Sequence, residues 1–496
     1  MDILLLSIFL SLLLAFLLFR PHRRNNLPPS PLFSLPIIGH LHLVKHSVHR
    51  TLHNLSHNYG RVFSLRFGSR LVVVVSSPSV VQECFTKNDI ILANRPLLDT
   101  AKHLAYNQTT MAVAPYGDHW RHLRRIGALE IFSTTRMNLF LGIREGEVKR
   151  LMRKLCGSSF VEFTVVEPGS MILDLMFNII MRIVAGKKYY DDDMSNDGKS
   201  RKFREAVKET MAHGGATNPG DFIPIWNWID PTGLEKKMMK LGHTMDELLQ
   251  ELLDEIRNQK NEGNTMIEHL LCLQKSEPEN HSDLIIKGLV HVILIAGIDT
   301  IGVTLEWALS HLLNNPEVLE KAKAEIDNSI GQERMVNEAD LSSLSYVQGI
   351  IFETLRLTPA APLLVAHCPS EDCKIGGYDI PRDAIVLINA WAIHRDPELW
   401  EDATSFRPER HTNAIGVDSY KLLPFGLGRR ACPGMGMAQR VVGLTLASLI
   451  QCFEWKRASS LLVDMTEGGG LTMPKAQPLV AKCRPRPIMR AILNEM

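Results

Sequence analysis

A chain of 496 residues, 45% of them hydrophobic and 26 of them proline, can bury a large core threaded by many loops, and its length alone admits about three domains. The formal net charge of +1 excludes nucleic acid as the main partner. Eight cysteines, at positions 84, 156, 272, 368, 373, 432, 452 and 483, show no framework spacing and fit a reducing compartment better than a disulfide scaffold.

Residues 3–19 are apolar apart from two serines. As a helix the run is about 26 Å long, enough to span a thin bilayer. Arg20, His22, Arg23 and Arg24 follow at once, which favours holding the rest of the chain on the cytosolic side. No basic residue precedes the run and no small-residue cleavage site follows it, so residues 1–20 are expected to be an uncleaved anchor rather than a signal peptide. The sequons at Asn54, Asn107 and Asn280 would then never meet the glycosylation machinery. Residues 21–40, basic at first and then rich in proline (Leu27-Pro28-Pro29-Ser30-Pro31, Leu35-Pro36-Ile37), read as a stiff hinge. Residues 41–496 are expected to form a single catalytic domain, mainly α with small β-sheets.

Strand signals open that domain at 62–68 and 71–75, joined by a Gly-Ser-Arg turn. The remainder reads as mostly helical, with strand signals again at 384–389 and near the C-terminus. Segments 191–196 and 259–264 read as solvated loops. Tyr116 to Arg125 opens a helix on which Trp120 and Arg124, four apart, share a face. Arg121 and Arg125 fall on another, either solvated or docking an acidic partner. A long helix is expected from Asp283 to about Asn314, before Pro316. Within it Ala296-Gly297-Ile298-Asp299-Thr300 breaks the apolar pattern; Gly and Thr there would weaken the hydrogen-bond ladder and make room for water or dioxygen. The plainer alternative is a Thr bonding back to a carbonyl beside a surface Asp.

Glu353 and Arg356 lie three apart on one helical face. Pro359 and Pro362 forbid helix and suggest an extended pass, through Leu363 to His367, along a pocket wall. Gly468 to Met473 reads as a hairpin tip contributing Leu471. Together Met111, Ala112, Gly215, Ala216, Ala296, Gly297, Leu363 and Leu471, all apolar or small, are the candidate pocket, suited to a lipophilic substrate.

The most informative stretch is Pro424 to Gly434, where Cys432 sits in a Gly-rich loop beside Arg429 and Arg430 and before an apolar run, 435–450, that reads as a helix. Arg430, amides freed by the glycines and the positive helix end can all compensate a thiolate. One Cys cannot complete a tetrahedral zinc site, whereas a haem iron needs only one such ligand. Gly426 to Ala431 also fits a loose dinucleotide-binding pattern, rejected because no βαβ unit or suitably placed acid follows.

Phe425, Gly428, Arg430, Cys432 and Gly434, preceded in order by Trp120-x-x-x-Arg124, Ala296-Gly297-x-Asp299-Thr300, Glu353-x-x-Arg356 and Pro408-Glu409-Arg410, resemble the cytochromes P-450, the haem-thiolate monooxygenases. The resemblance implies haem b with its iron ligated by Cys432, Phe425 and Arg430 beside the haem, and Trp120, Arg124 and His367 on its propionates. It implies Thr300 and Asp299 as catalytic residues steering protons, and Glu353, Arg356 and Arg410 as a structural ion triad. Ile301 and Gly302 stand where hydroxyl residues are common, Ala366 where plant members commonly have Pro, and His411 where an aromatic is usual. The implied partners are O2, a small hydrophobic substrate and an NADPH-cytochrome P-450 reductase in the endoplasmic reticulum membrane, with the catalytic domain facing the cytosol. Thr304-Leu305-Glu306-Trp307, Ser370 to Lys374 and Gly377-Tyr378-Asp379 resemble the plant group that includes isoflavone hydroxylases and methylenedioxy-bridge-forming lignan enzymes. Hydroxylation of an isoflavonoid or other phenylpropanoid is therefore expected. Methylenedioxy-bridge formation, terpenoid hydroxylation and a non-turnover haem electron carrier or sensor stay open.

Overall fold

The computed structural model describes residues 26–45, 47–156, 160–189, 198–214, 218–223, 226, 230–259, 265–412 and 419–490. The expected anchor, the start of the hinge, Gly215, Ala216 and the loop at 191–196 lie outside the described residues.

The molecule is built around one helix, Asp283–Asn314, called the central helix below. Its start is fixed by Ser282, whose hydroxyl accepts the Ile285 amide, with Asp283 in the first turn, both favourable at a positive helix end. Its end is set by Asn315, after which Pro316 opens the next helix at a position where proline costs nothing. The helix is apolar on most sides because neighbours cover it on most sides. The closest of these is Pro168–Ala185, equally apolar. Both helices are long and apolar enough to cross a membrane, but 72% and 56% of their apolar windows are buried inside the protein, as for core helices. Leu234–Asn258, Ser345–Leu357 and the C-terminal helix Met435–Cys452 complete the bundle.

Three small sheets flank it among the described residues. Val62–Phe67 pairs antiparallel with Arg70–Val75, which pairs in parallel with Ile385–Ile388. The turn in the first pair is two residues, with Arg70 already in the strand. Gly68 makes it possible at φ +54, where a Cβ would lie 1.9 Å from the Phe222 carbonyl oxygen. Thr164–Val166, Ala481–Pro485 and Phe453–Arg457 form the second sheet, and Cys373–Ile375 with Tyr378–Ile380 the third.

Candidate active site

The loop bearing Cys432 has one shape because it closes on itself. The Cys432 amide donates to the Phe425 carbonyl at 2.9 Å and the Gly426 amide to that of Leu423 at 3.0 Å. Gly428, at φ +66, leaves space for Asp89, whose carboxylate would lie 2.2 Å from a Cβ there and accepts the Arg429 amide at 3.0 Å. The Cys432 sulfur is thereby presented at the start of the C-terminal helix. Burial pushes its thiol up, while the Gly434 amide, the Arg124 guanidinium and the Met435 amide favour the anion.

Over the sulfur opens a cavity of about 310 Å³. Met111, Ala112, Ala296, Gly297, Thr300 and Phe425 line it, as do Trp120, Arg124, His367 and Arg430. Leu363 and Leu471 do not. Leu364, at φ +54, turns the chain so that it and Val365 face the cavity, while Leu363 packs against the cluster around Phe63 and Leu65. Leu471 is 47% exposed at the hairpin tip; the next residue, Thr472, is the one that reaches inward, donating its hydroxyl to Asp299 at 2.6 Å.

One edge of the cavity collects three guanidinium groups. Arg430 donates to the carbonyls of Ala93 (2.6 Å), Met111 (3.4 Å) and Ala114 (2.5 Å) and stacks 4.4 Å over the Trp120 ring. Arg95, which sequence reasoning missed, donates to the carbonyls of Ala112 (3.2 Å), Val365 (2.8 Å) and Ala366 (2.7 Å). Arg124 has no hydrogen-bond partner among the described residues. None of the three forms an ion pair among those residues, although burial lowers Arg95 to about 10. Burial, with Arg95 and Arg124 beside it, lowers Arg430 to about 9. Buried cations without counter-ions are unstable arrangements, so this edge is built to receive an anion. The only foretaste of Arg95 in the sequence is its place before Pro96 in a segment without periodicity.

Two neighbours differ from expectation. The Trp120 indole N–H is already engaged, donating to the Met111 carbonyl at 3.1 Å. His367 pairs its Nδ1 with the Leu92 carbonyl at 2.9 Å; because a carbonyl only accepts, Nδ1 carries the proton and Nε2 is left as an acceptor. Burial, then Arg95, lowers this imidazole to about 3, so it must gain a second proton before it can donate to a carboxylate.

The central helix is unbroken through Thr300, contrary to the expected weak point. The Thr300 hydroxyl donates back to the Ala296 carbonyl at 2.6 Å. Gly297 and Gly302 serve close packing on Pro168–Ala185: a Cβ would lie 3.1 Å from Ile180 and 2.8 Å from Leu173. Asp299 is off the cavity, its carboxyl raised by burial against the Thr472 hydrogen bond.

Beside the cavity, Glu353 accepts from Arg356 (two bonds, both 2.8 Å), Arg410 (3.0 Å), the Arg407 amide (2.9 Å) and His411 Nε2 (2.8 Å). His411, which sequence reasoning treated as a packing departure, is thus a fourth side chain of the cluster. Arg356 spends its remaining donors on the carbonyls of His394, Ala403 and Ser405. Burial would raise the Glu353 carboxyl, but Arg356 and His411 hold it at about 2.

No group of three or more His, Cys, Asp or Glu among the described residues could hold a metal ion, so a metal on Cys432 must bring its own further ligands. A thiol under an apolar cavity with unpaired guanidiniums at one edge fits a haem: sulfur for iron, apolar walls for the ring, cations for the propionates. The site therefore defines a haem-thiolate protein.

The family model described as Cytochrome P450 matches residues 28–480, and the chain belongs to that family. It is a haem-thiolate monooxygenase. Over 473 residues it is 55% identical to cytochrome P450 81Q32 of Catharanthus roseus, covering 95% of this chain and 94% of that one. It is 52% identical to the isoflavone 3'-hydroxylase of Medicago truncatula, covering 94% of each. It is also 52% identical to the (+)-piperitol/(+)-sesamin synthase of Sesamum radiatum, covering 95% of this chain and 93% of that one. A zebra fish cytochrome P450 solved with abiraterone shares the fold, with TM-score 0.74, 23% identity, and coverage of 89% of this chain and 100% of that chain.

Proposed function

We propose that this protein hydroxylates an isoflavonoid or related phenylpropanoid, taking two electrons from NADPH through a membrane-bound reductase. In balance, substrate C–H, O2, NADPH and a proton give C–OH, water and NADP+. The observation that carries the reading is the set of unpaired cations, Arg95, Arg124 and Arg430, at the edge of the cavity that Cys432 opens into. Relatives that hydroxylate isoflavones support the substrate class.

In this reading Cys432 would hold the iron as a thiolate, and the guanidiniums of Arg95, Arg124 and Arg430 would offer charge-assisted hydrogen bonds to the propionates. When bound, the haem supplies the oxygen-activating chemistry. Phe425 and Leu364, which line the cavity, would wall the ring. Met111, Ala112, Ala296 and Ile180 exclude water and orient an apolar ring system, with Thr300 and Thr304 the hydroxyls on that wall. The Thr300 hydroxyl, which donates to the Ala296 carbonyl at 2.6 Å in the resting helix, and the Asp299 carboxyl beside it in sequence would relay protons to the cavity, the carboxyl by cycling between its charged and neutral forms. Glu353, Arg356 and Arg410 keep the floor rigid. Residues 1–20 anchor the chain in the endoplasmic reticulum membrane, 21–40 form the hinge and 41–496 the catalytic domain. Arg121 and Arg125, exposed beside Trp120, meet the acidic face of the reductase.

The sesamin synthase relative favours a second reading, closure of an ortho-methoxyphenol to a methylenedioxy bridge. Microsomes with reductase, NADPH and a panel of isoflavones, lignans and terpenoids decide between them. A product heavier by one oxygen from an isoflavone supports hydroxylation; one lighter by two hydrogens from a lignan supports the bridge. NADPH-dependent conversion of terpenoids alone would overturn both.

A further inference from the structure

Asp299 stands in the middle of a helix, where every neighbouring backbone amide is already committed, and it is turned away from the cavity that its neighbour Thr300 lines. Its Oδ2 accepts one hydrogen bond, from Thr472 Oγ1 at 2.6 Å, across 173 positions of sequence. Among the described residues no charged side chain shifts this carboxyl; burial raises it and the Thr472 hydrogen bond opposes that. On its own helix the nearest titratable groups are His291 and Glu306, eight residues before and seven after, and Glu306 is engaged by the Leu479 amide at 2.8 Å. On the packed helix Pro168–Ala185, Asp174 and Arg182 pair with Lys154 and Glu147. On the hairpin, Glu467 is bound by His49 and Arg50, and Lys475 donates to the Asp464 carbonyl.

The hydroxyl is held where it is. Met473, next in sequence, donates its amide to the Ala360 carbonyl at 2.9 Å and accepts the Trp307 indole N–H at 2.7 Å. The base of the hairpin is fixed through Glu467, which also accepts from Trp391 at 3.1 Å. Gly470, at φ +147, makes the tight tip that brings Thr472 inward while Leu471 points out. The hairpin tip is thus tied to its surroundings on both sides of Thr472, and the bond to Asp299 fixes where that carboxyl sits beside the central helix.

We propose that Thr472 is a positioning residue for proton delivery: its hydroxyl fixes the Asp299 carboxyl on the hairpin side of the central helix and favours its charged form against the burial that opposes it. The inference rests on the monooxygenase reading and deepens it. A donor to a buried carboxylate stabilises the charged form, so removing it makes the acid weaker.

The test is infrared difference spectroscopy of the carbon monoxide complex, photolysed across a pH series, in the wild type, Thr472→Val and Thr472→Ser, with Asp299→Asn to assign the carboxyl band. Thr472→Val should keep the protonated band to a pH about one unit higher, roughly a tenfold change in ionisation constant. The pH profile of NADPH coupling should move the same way, and Thr472→Ser should titrate like the wild type. Equal titration of the wild type and Thr472→Val, or a Thr472→Ser that behaves like Thr472→Val, would overturn the proposal. So would loss of the thiolate-type spectrum in both Thr472→Val and Thr472→Ala, because the hydroxyl would then be needed for folding. If the wild type itself lacked that spectrum, the monooxygenase reading would fail instead.

Discussion

Two clusters of arginine withdrawn from water, one around Glu353 and one at the cavity edge, differ in whether they are finished. Around Glu353, every N–H of Arg356 has an acceptor and the carboxylate receives five hydrogen bonds. At the cavity edge, Arg95 and Arg430 have only carbonyls and Arg124 has nothing among the described residues. A cluster complete in itself is scaffolding. A cluster of like charges with no counter-ion among the described residues leaves the desolvation of each cation unrecovered, which suits it to receive an anion.

The largest effect is expected at the sulfur on which both clusters converge functionally. Cys432→Ser replaces a group that can ionise by one that stays protonated at neutral pH, so the long-wavelength band of the reduced carbon monoxide complex, from which the family takes its name, should vanish and product formation with it. Optical spectra of the reduced protein check this. A retained band would place the ligand elsewhere.

Next comes the finished cluster. Glu353→Ala strands Arg356 with two unpaired N–H groups in a dry interior, which should cost about 3–5 kcal/mol of stability, read as a fall in melting temperature in both the haem-free and haem-loaded protein. The pH dependence has a definite sign. The Glu353 carboxyl sits at about 2 in the folded protein against an ordinary value of 4.5. Its stabilisation is therefore present above about pH 4.5 and drains away as pH falls toward 2. Over that window the wild type should lose stability more steeply than Glu353→Ala.

The unfinished cluster should respond in the opposite sense. Arg124→Gln removes a half-buried cation whose guanidinium has no hydrogen-bond partner among the described residues, so the haem-free protein should be no less stable than the wild type. Haem retention should fall by about ten- to a hundredfold, the worth of a hydrogen bond to a charged group. Haem transfer to an acceptor protein measures the second effect and thermal unfolding the first. Loss of stability in the haem-free state would show that Arg124 is scaffolding after all.

What the sequence made legible follows the same division between local and distant causes. Cys432, Gly428 and the central helix were readable because their shapes arise locally, from a loop closed by its own amides and a helix bounded by Ser282 and Pro316. The Glu353-Arg356 pair was readable because three residues on a helix meet on one face. Arg95 was not, since a loop residue acquires its position from carbonyls of Ala112, Val365 and Ala366 that no spacing announces. Leu363 is the pocket residue that an extended reading of the segment suggests, and that reading cannot foresee the left-handed turn that brings Leu364 to the cavity instead. Leu471 was chosen over Thr472 for a related reason: apolar character suggested the pocket, but the tip at Gly470 turns the hydroxyl inward.

The smallest expected effect concerns His411, and it sharpens the contrast most finely. Its Nε2 donates to Glu353 at 2.8 Å, yet its Nδ1 is buried with no partner among the described residues, so the residue both completes the carboxylate and introduces an unsatisfied atom. Its ring lies between Phe352 and Trp400, at centroid distances of 6.1 and 6.0 Å, in a slot that suits an aromatic. His411→Phe removes one of five hydrogen bonds to Glu353, a loss of about 1 kcal/mol, and removes the orphaned nitrogen, a gain of similar size. The two should nearly cancel, leaving the melting temperature within a few degrees of the wild type. His411→Ala, which forfeits the ring packing as well, should fall clearly below it. Were His411→Phe as damaging as Glu353→Ala, the fourth partner would be indispensable, and Arg356 and Arg410 would not suffice to hold the carboxylate.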